Sequence, residues 1–146
     1  MDVTTSSRPQ PPESAGHSDT AEHSGKAGGI HSINAVTLAV ADMATAHAFY
    51  GAVGFVTTFG GPNAPFTSLQ AGMSFLNLQL DPGHQPREPV WGRVIFWVDD
   101  VDAMYDAVIA AGGQPEAPPA DAPWGERYFH VRDPDGHELS FARPLA

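Results

Sequence analysis

Apolar residues alternate with small or polar ones along residues 33–40 (INAVTLAV), the period of a half-buried strand. Asp42 follows as a helix-starting residue, because its short carboxylate can accept a bond from an unsatisfied first-turn N–H. Met43, Ala46, Phe49, Tyr50 and Val53 then fall at helical spacing, and Gly54 ends the helix. Residues 55–60, 66–71 and 74–80 read as three more strands, broken by Gly60-Gly61-Pro62 and by Gly72. Asp81-Pro82-Gly83 opens a proline-rich linker that runs to Pro89. The order then repeats. A strand is expected at 92–98, and Asp100 caps a helix through Ala111 with Val101, Met104, Tyr105 and Val108 on its buried stripe. Gly112-Gly113 stops it. Residues 114–125 are rich in Pro and Ala and read as an edge strand or a loop. Residues 126–132 and 137–142 form a last hairpin around Asp133-Pro134-Asp135-Gly136, whose Pro and Gly suit a tight turn.

The repetition extends to individual residues. Residues 35–55 recur 58 positions later as residues 93–113, with Val36/Val94, Val40/Val98, Asp42/Asp100, Ala52/Ala110 and Gly54/Gly112 identical. Two βαβββ units are the expectation, at 33–81 and 91–144 with a linker at 82–90, inside one domain spanning 31–146.

Strand parity sorts the side chains into two faces. Val36, Leu38 and Val40, with Leu76, Leu78, Leu80, Val94, Phe96, Val98, Leu139 and Phe141, make a uniformly apolar face that must lie under the helices. The opposite face mixes Ala35, Thr37, Ala39, Phe75, Asn77, Gln79, Arg93, Ile95, Trp97, Glu138, Ser140 and Ala142. Large aromatics among polar groups suggest a concave surface that closes on something.

Composition narrows the function classes. The chain has 146 residues, 42% of them hydrophobic and 16% charged, which suits one globular core. The absence of cysteine removes disulfides, thiolate metal sites and Cys nucleophiles. Seven Lys/Arg against a formal charge of −10 argue against a nucleic-acid partner; the acidity reads first as a solubility device, with attraction of cationic ligands as the alternative. No apolar run approaches the ~20 residues of a membrane span, so no membrane partner is expected. No signal peptide is read, and a cytoplasmic location is the expectation. Residues 1–30 carry almost no large apolar side chain and read as a disordered tail.

The paired βαβββ pattern, Phe49–Phe55 (FYGAVGF) and Arg132–Phe141 (RDPDGHELSF) resemble the vicinal oxygen chelate superfamily, which includes glyoxalases, bleomycin-resistance proteins and extradiol dioxygenases. The resemblance covers residues 33–144. It implies an α+β fold in which two βαβββ units form an eight-stranded, U-shaped mixed sheet with helices on the convex face. It also implies that metal enzymes of the family hold a divalent ion at positions that fall here on Ala35, Asn77, Arg93 and Ser140. Ala35 offers no donor, Asn77 and Ser140 offer weak neutral oxygens, and Arg93 is a permanent cation. No metal or other cofactor is therefore expected.

Arg93 needs a partner on an inward face, and either Glu138 or a ligand anion can supply it. Tyr128 and His130 alternate with the core-facing Phe129 and Val131, and point into the cup. Trp124 precedes that strand as a candidate roof, and Trp91 lies near a junction of halves or subunits. His137 is expected to be exposed after its turn, and His47 and His84 carry no chemistry. The candidate ligand-binding residues are Thr37, Phe75, Asn77, Gln79, Arg93, Trp97, Trp124, Tyr128, His130, Glu138 and Ser140, with no catalytic residue assigned. These residues point to metal-independent binding of a cationic or aromatic small molecule, as in drug or metabolite sequestration leading to antibiotic resistance, by a homodimer. The alternative is a lyase, isomerase or dioxygenase with a rearranged metal site using His130 and Glu138, or with metal-free acid–base chemistry.

Overall fold

The structure is a computed structural model that describes residues 28–146. Most of the tail read at 1–30 therefore lies outside the described residues. The first half comprises β1 (Ala35–Val40), α1 (Met43–Ala52), β2 (Val56–Phe59), β3 (Phe66–Ala71) and β4 (Ser74–Leu80). The second comprises β5 (Arg93–Trp97), α2 (Val101–Ala110), β6 (Ala120–Asp121), β7 (Glu126–Arg132) and β8 (Glu138–Pro144). Each helix begins as its sequence dictates. The Asp42 carboxylate accepts from the Thr45 N–H at 3.1 Å, and the Asp100 carboxylate accepts from the Ala103 N–H at 3.0 Å.

The eight strands are hydrogen-bonded as two mixed sheets of four, in the orders β1-β4-β3-β2 and β5-β8-β7-β6. In each half the first strand runs parallel to the last, which pairs antiparallel with the third. β1 and β5 are thus sheet edges. The short β6 shows the weakly patterned 114–125 segment to be mostly loop, with two residues of edge strand.

Strand register makes the halves comparable residue by residue. Ala35 faces Phe75 and Arg93 faces Glu138, while Thr37 faces Asn77 and Ile95 faces Ser140. Offset 58 on the first strand thus becomes 62 on the third and 63 on the last, because the second half is four residues longer before β7 and one residue longer in the β7–β8 turn. The apolar faces carry one continuous core, with Leu38, Val40, Leu76, Leu78, Leu139 and Phe141 buried together with Tyr50 and Phe49 of α1 and Val101 and Val108 of α2. Phe55 meets Phe96 edge to face at 5.1 Å across the two halves.

Candidate functional site

A cleft of about 770 Å³ separates the facing edges of β1 and β5. One wall is Ile33 and Ala35 with Gln70, Ala71, Gly72, Ser74 and Phe75 around the β3–β4 turn. The other is β5 itself, from Trp91 through Arg93, Ile95 and Trp97 to Val98. Phe55, Phe96, Met104 and Phe141 form its floor, where the gap between the edges reaches the core.

Of the eleven candidate residues, Phe75, Arg93 and Trp97 line this cleft. Thr37, Asn77 and Gln79 lie on the first sheet. There Ser68 Oγ donates to Asn77 Oδ1 at 2.8 Å and Asn77 Nδ2 donates to Thr37 Oγ1 at 3.4 Å, so both ends of the buried Asn77 amide are bonded. Trp124, Tyr128, His130, Glu138 and Ser140 lie on the second sheet. Trp124 stacks on Tyr128 with centroids 5.7 Å apart, and Tyr128 leans on His130 at 4.9 Å. Trp124 thus extends a row of rings along β7, with 68% of its surface exposed.

Arg93 makes an ion pair with Glu138 at 3.2 Å; the arginine side chain is 40% exposed and the glutamate 8%. The pair occupies the place that Ala35 and Phe75 fill in the first half. Partial burial and then the Arg93 charge lower the pKa of His130 from the ordinary imidazole value, which keeps the ring neutral at pH 7. Its Nδ1 is buried without a hydrogen-bond partner.

The other junction between the halves is polar and closed. Tyr50 Oη donates to Asp133 Oδ2 at 2.6 Å, and Asp133 Oδ1 accepts from the N–H groups of Asp135 and His137, each at 2.9 Å. Burial raises the pKa of Asp133, against the opposing effect of the Tyr50 hydrogen bond, and burial followed by the Asp133 charge raises that of Tyr50 well above the ordinary phenol value. The Ala41 N–H of the first half donates to Asp135 Oδ1 at 2.7 Å. His137 is not exposed as expected; it is 6% accessible. The turn folds back under the 82–90 linker instead of projecting outward. Gly136 (φ 82°) makes this possible, because a Cβ there would come within 2.7 Å of Pro86. His84 also has a structural role. It donates from Nε2 to the Asp135 carbonyl at 2.9 Å and stacks on His137 at 4.9 Å.

Parity placed Ile95 between Arg93 and Trp97, so period-two alternation could have added it to the candidate set. Phe55, Phe96 and Met104 gave no such signal. Their pattern assigns them to the helix-covered core, and they line the cleft because β1 and β5 do not pair.

Among the described residues, no group of three or more His, Cys, Asp or Glu side chains could hold a metal ion. No helix among them is long and apolar enough to cross a membrane.

The transposon Tn5 bleomycin-resistance determinant is 25% identical, with a TM-score of 0.65 over 80% of this chain and 100% of its own. A bleomycin-binding protein solved with bleomycin is 26% identical, with a TM-score of 0.62 over 78% of this chain and 98% of its own. TioX from Micromonospora sp. ML1 is 30% identical, with a TM-score of 0.62 over 79% of this chain and 100% of its own. A putative glyoxylase, CFP32, of Mycobacterium tuberculosis (strain CDC 1551 / Oshkosh) is 38% identical over 76 residues. That match covers 52% of this chain and 29% of the longer relative. The family model for the glyoxalase/bleomycin resistance protein/dioxygenase superfamily matches residues 32–141, and the chain belongs to that superfamily.

Proposed function

We propose that this chain is a metal-independent small-molecule binding protein of the bleomycin-resistance type, which sequesters a drug or metabolite against its aromatic cleft. The observation that carries the proposal is the Arg93–Glu138 pair. A guanidinium stands at a position where the family's metal enzymes need a ligand, and it is paired with the Glu138 carboxylate. Ala35, Asn77 and Ser140 at the other three positions supply no anionic or imidazole donor. This donor set does not fit a divalent metal, and no step is derived through one.

The cleft walls favour an aromatic ligand over a purely cationic one, because Glu138 is already neutralised while Trp97 presents 71% of its surface. The bleomycin complex of a structural relative supports a small-molecule ligand. We further propose a cytoplasmic homodimer, in which a second copy covers part of the exposed row of Ile95, Trp97 and Trp124.

The test is a thermal-shift screen of chelator-treated protein and its Trp97→Ala variant against planar aromatic compounds, against bleomycin, and against Zn²⁺, Fe²⁺, Mn²⁺ and Ni²⁺. A compound should raise the Tm of the wild type without metal and leave the variant unchanged. Stabilisation only after metal addition would remove the proposal. One observation favours the enzymatic reading: partial burial and the Arg93 charge hold His130 in its neutral, proton-accepting form. Turnover lost in His130→Gln in the absence of metal would establish it.

A further inference from the structure

His137 ties the cleft to the closed junction. Its Nε2 lies 2.7 Å from the Ala39 carbonyl of β1, and its Nδ1 lies 2.9 Å from Trp91 Nε1. A carbonyl only accepts and an indole N–H only donates, so these two contacts define the ring's protonation. Nε2 carries the hydrogen, Nδ1 is a lone pair, and the imidazole is neutral. Trp91 in turn is a wall of the cleft, immediately before β5.

We infer that His137 is the positioning residue of the cleft, holding Trp91 as its wall while neutral and releasing it when protonated. A second proton on Nδ1 would point one N–H at another, and indole nitrogen offers no lone pair in the ring plane to accept it. Turning the imidazole to relieve that clash gives up the bond to Ala39, so both contacts cannot survive protonation.

Carboxylates and a second imidazole surround the ring. The β7–β8 turn brings the carboxylates of Asp133 and Asp135, and the linker brings His84 stacked on the ring. Tyr50 of α1 reaches the site through Asp133. The other charged neighbours are paired, Glu138 with Arg93 and Glu88 with Arg132. A proton on Nδ1 displaces the Trp91 bond, so proton uptake and wall release are one event. In the first half Ser74 stands at the position of His137, and its Oγ donates to Ile33 O of the same half at 2.9 Å. The device therefore exists at one junction only.

The inference rests on the proposed binding site only for its consequence, which is looser ligand binding in acid. The latch itself is tested without a ligand. In the full-length labelled protein, the Trp91 indole N–H signal, assigned with Trp91→Phe, is followed by NMR as the pH is lowered from 8.5, alongside the imidazole protons of His137. The Trp91 signal should move upfield with the same midpoint as His137. His137→Gln keeps a donor and an acceptor without titrating, and should hold the Trp91 signal near its alkaline position throughout. His137→Phe should show the released position at every pH. A Trp91 signal that stays constant while His137 titrates overturns the inference. So does an identical shift in His137→Gln, or a His137 that takes up no proton before the chain unfolds.

Discussion

The two junctions between the halves occupy equivalent places in a duplicated fold and have opposite character. At one, the β7–β8 turn reaches the end of β1 through His137 and Asp135 and reaches α1 through Tyr50 and Asp133. At the other, the β3–β4 turn faces β5 across an open apolar cleft. The cause is a small set of residues. His137 corresponds to Ser74, Ala39 to Trp97 and Tyr50 to Val108, and the longer turn adds the Asp133-Pro134-Asp135 acceptors. Where side chains can bridge, the halves lock. Where a bulky indole replaces Ala and a short hydroxyl replaces His, a binding-sized space remains. Duplication supplied two equivalent junctions, and divergence made one a clasp and the other a cleft.

The comparison breaks most sharply at Asp133. Asp133→Ala leaves the Tyr50 hydroxyl and two buried N–H groups without their acceptor, and should cost about 3–5 kcal/mol by urea unfolding. Gln70→Ala, in the β3–β4 turn, should change stability by less than about 0.5 kcal/mol. Equal costs would mean that the two junctions do not differ in this way.

The next largest effect is at the ion pair on the cleft wall. Arg93→Met strands the buried Glu138 and should cost about 2–3 kcal/mol. Glu138→Met should cost only about 1 kcal/mol, because Arg93 can turn to solvent. The double replacement should recover most of the loss in the same unfolding measurement. Additive losses would show that the pair is not coupled.

Trp97→Ala should change stability by less than about 1 kcal/mol because the side chain is largely exposed, and should weaken self-association in analytical ultracentrifugation. The smallest effect is at His130. Because its folded pKa is lowered, the stability it contributes is present above the ordinary imidazole range and lost as pH falls through the lowered value. His130→Gln should therefore flatten the dependence of Tm on pH in that acidic window, and an unchanged slope would remove the effect.

Much of this architecture was legible in the chain. Period-two alternation separated Val94 and Phe96 from Arg93, Ile95 and Trp97, and Asp42 and Asp100 marked both helix starts. Parity put Glu138 on the same inward face as Arg93, and the two form an ion pair. That β1 and β5 stay unpaired was not legible. Parity describes which way side chains point and is silent on which edges bond, so a single eight-stranded sheet and two sheets of four share one pattern. The burial of His137 was hidden for a related reason. Turn chemistry predicts a reversal at 133–136, whereas the contact with Ala39 joins residues 98 positions apart. The cleft floor at Phe55 and Phe96 could be found only once that gap was seen.

The central claim is that the open junction binds a small molecule without metal. Its most direct test follows the indole N–H signals of Trp91 and Trp97 by NMR in chelator-treated protein, at a pH where His137 is neutral, as planar aromatic compounds are added. At least one compound should move both signals while the amide signals of Asp133 and Asp135 in the clasp stay in place. Indole signals that do not respond, or that respond only after a divalent metal is supplied, would contradict the account.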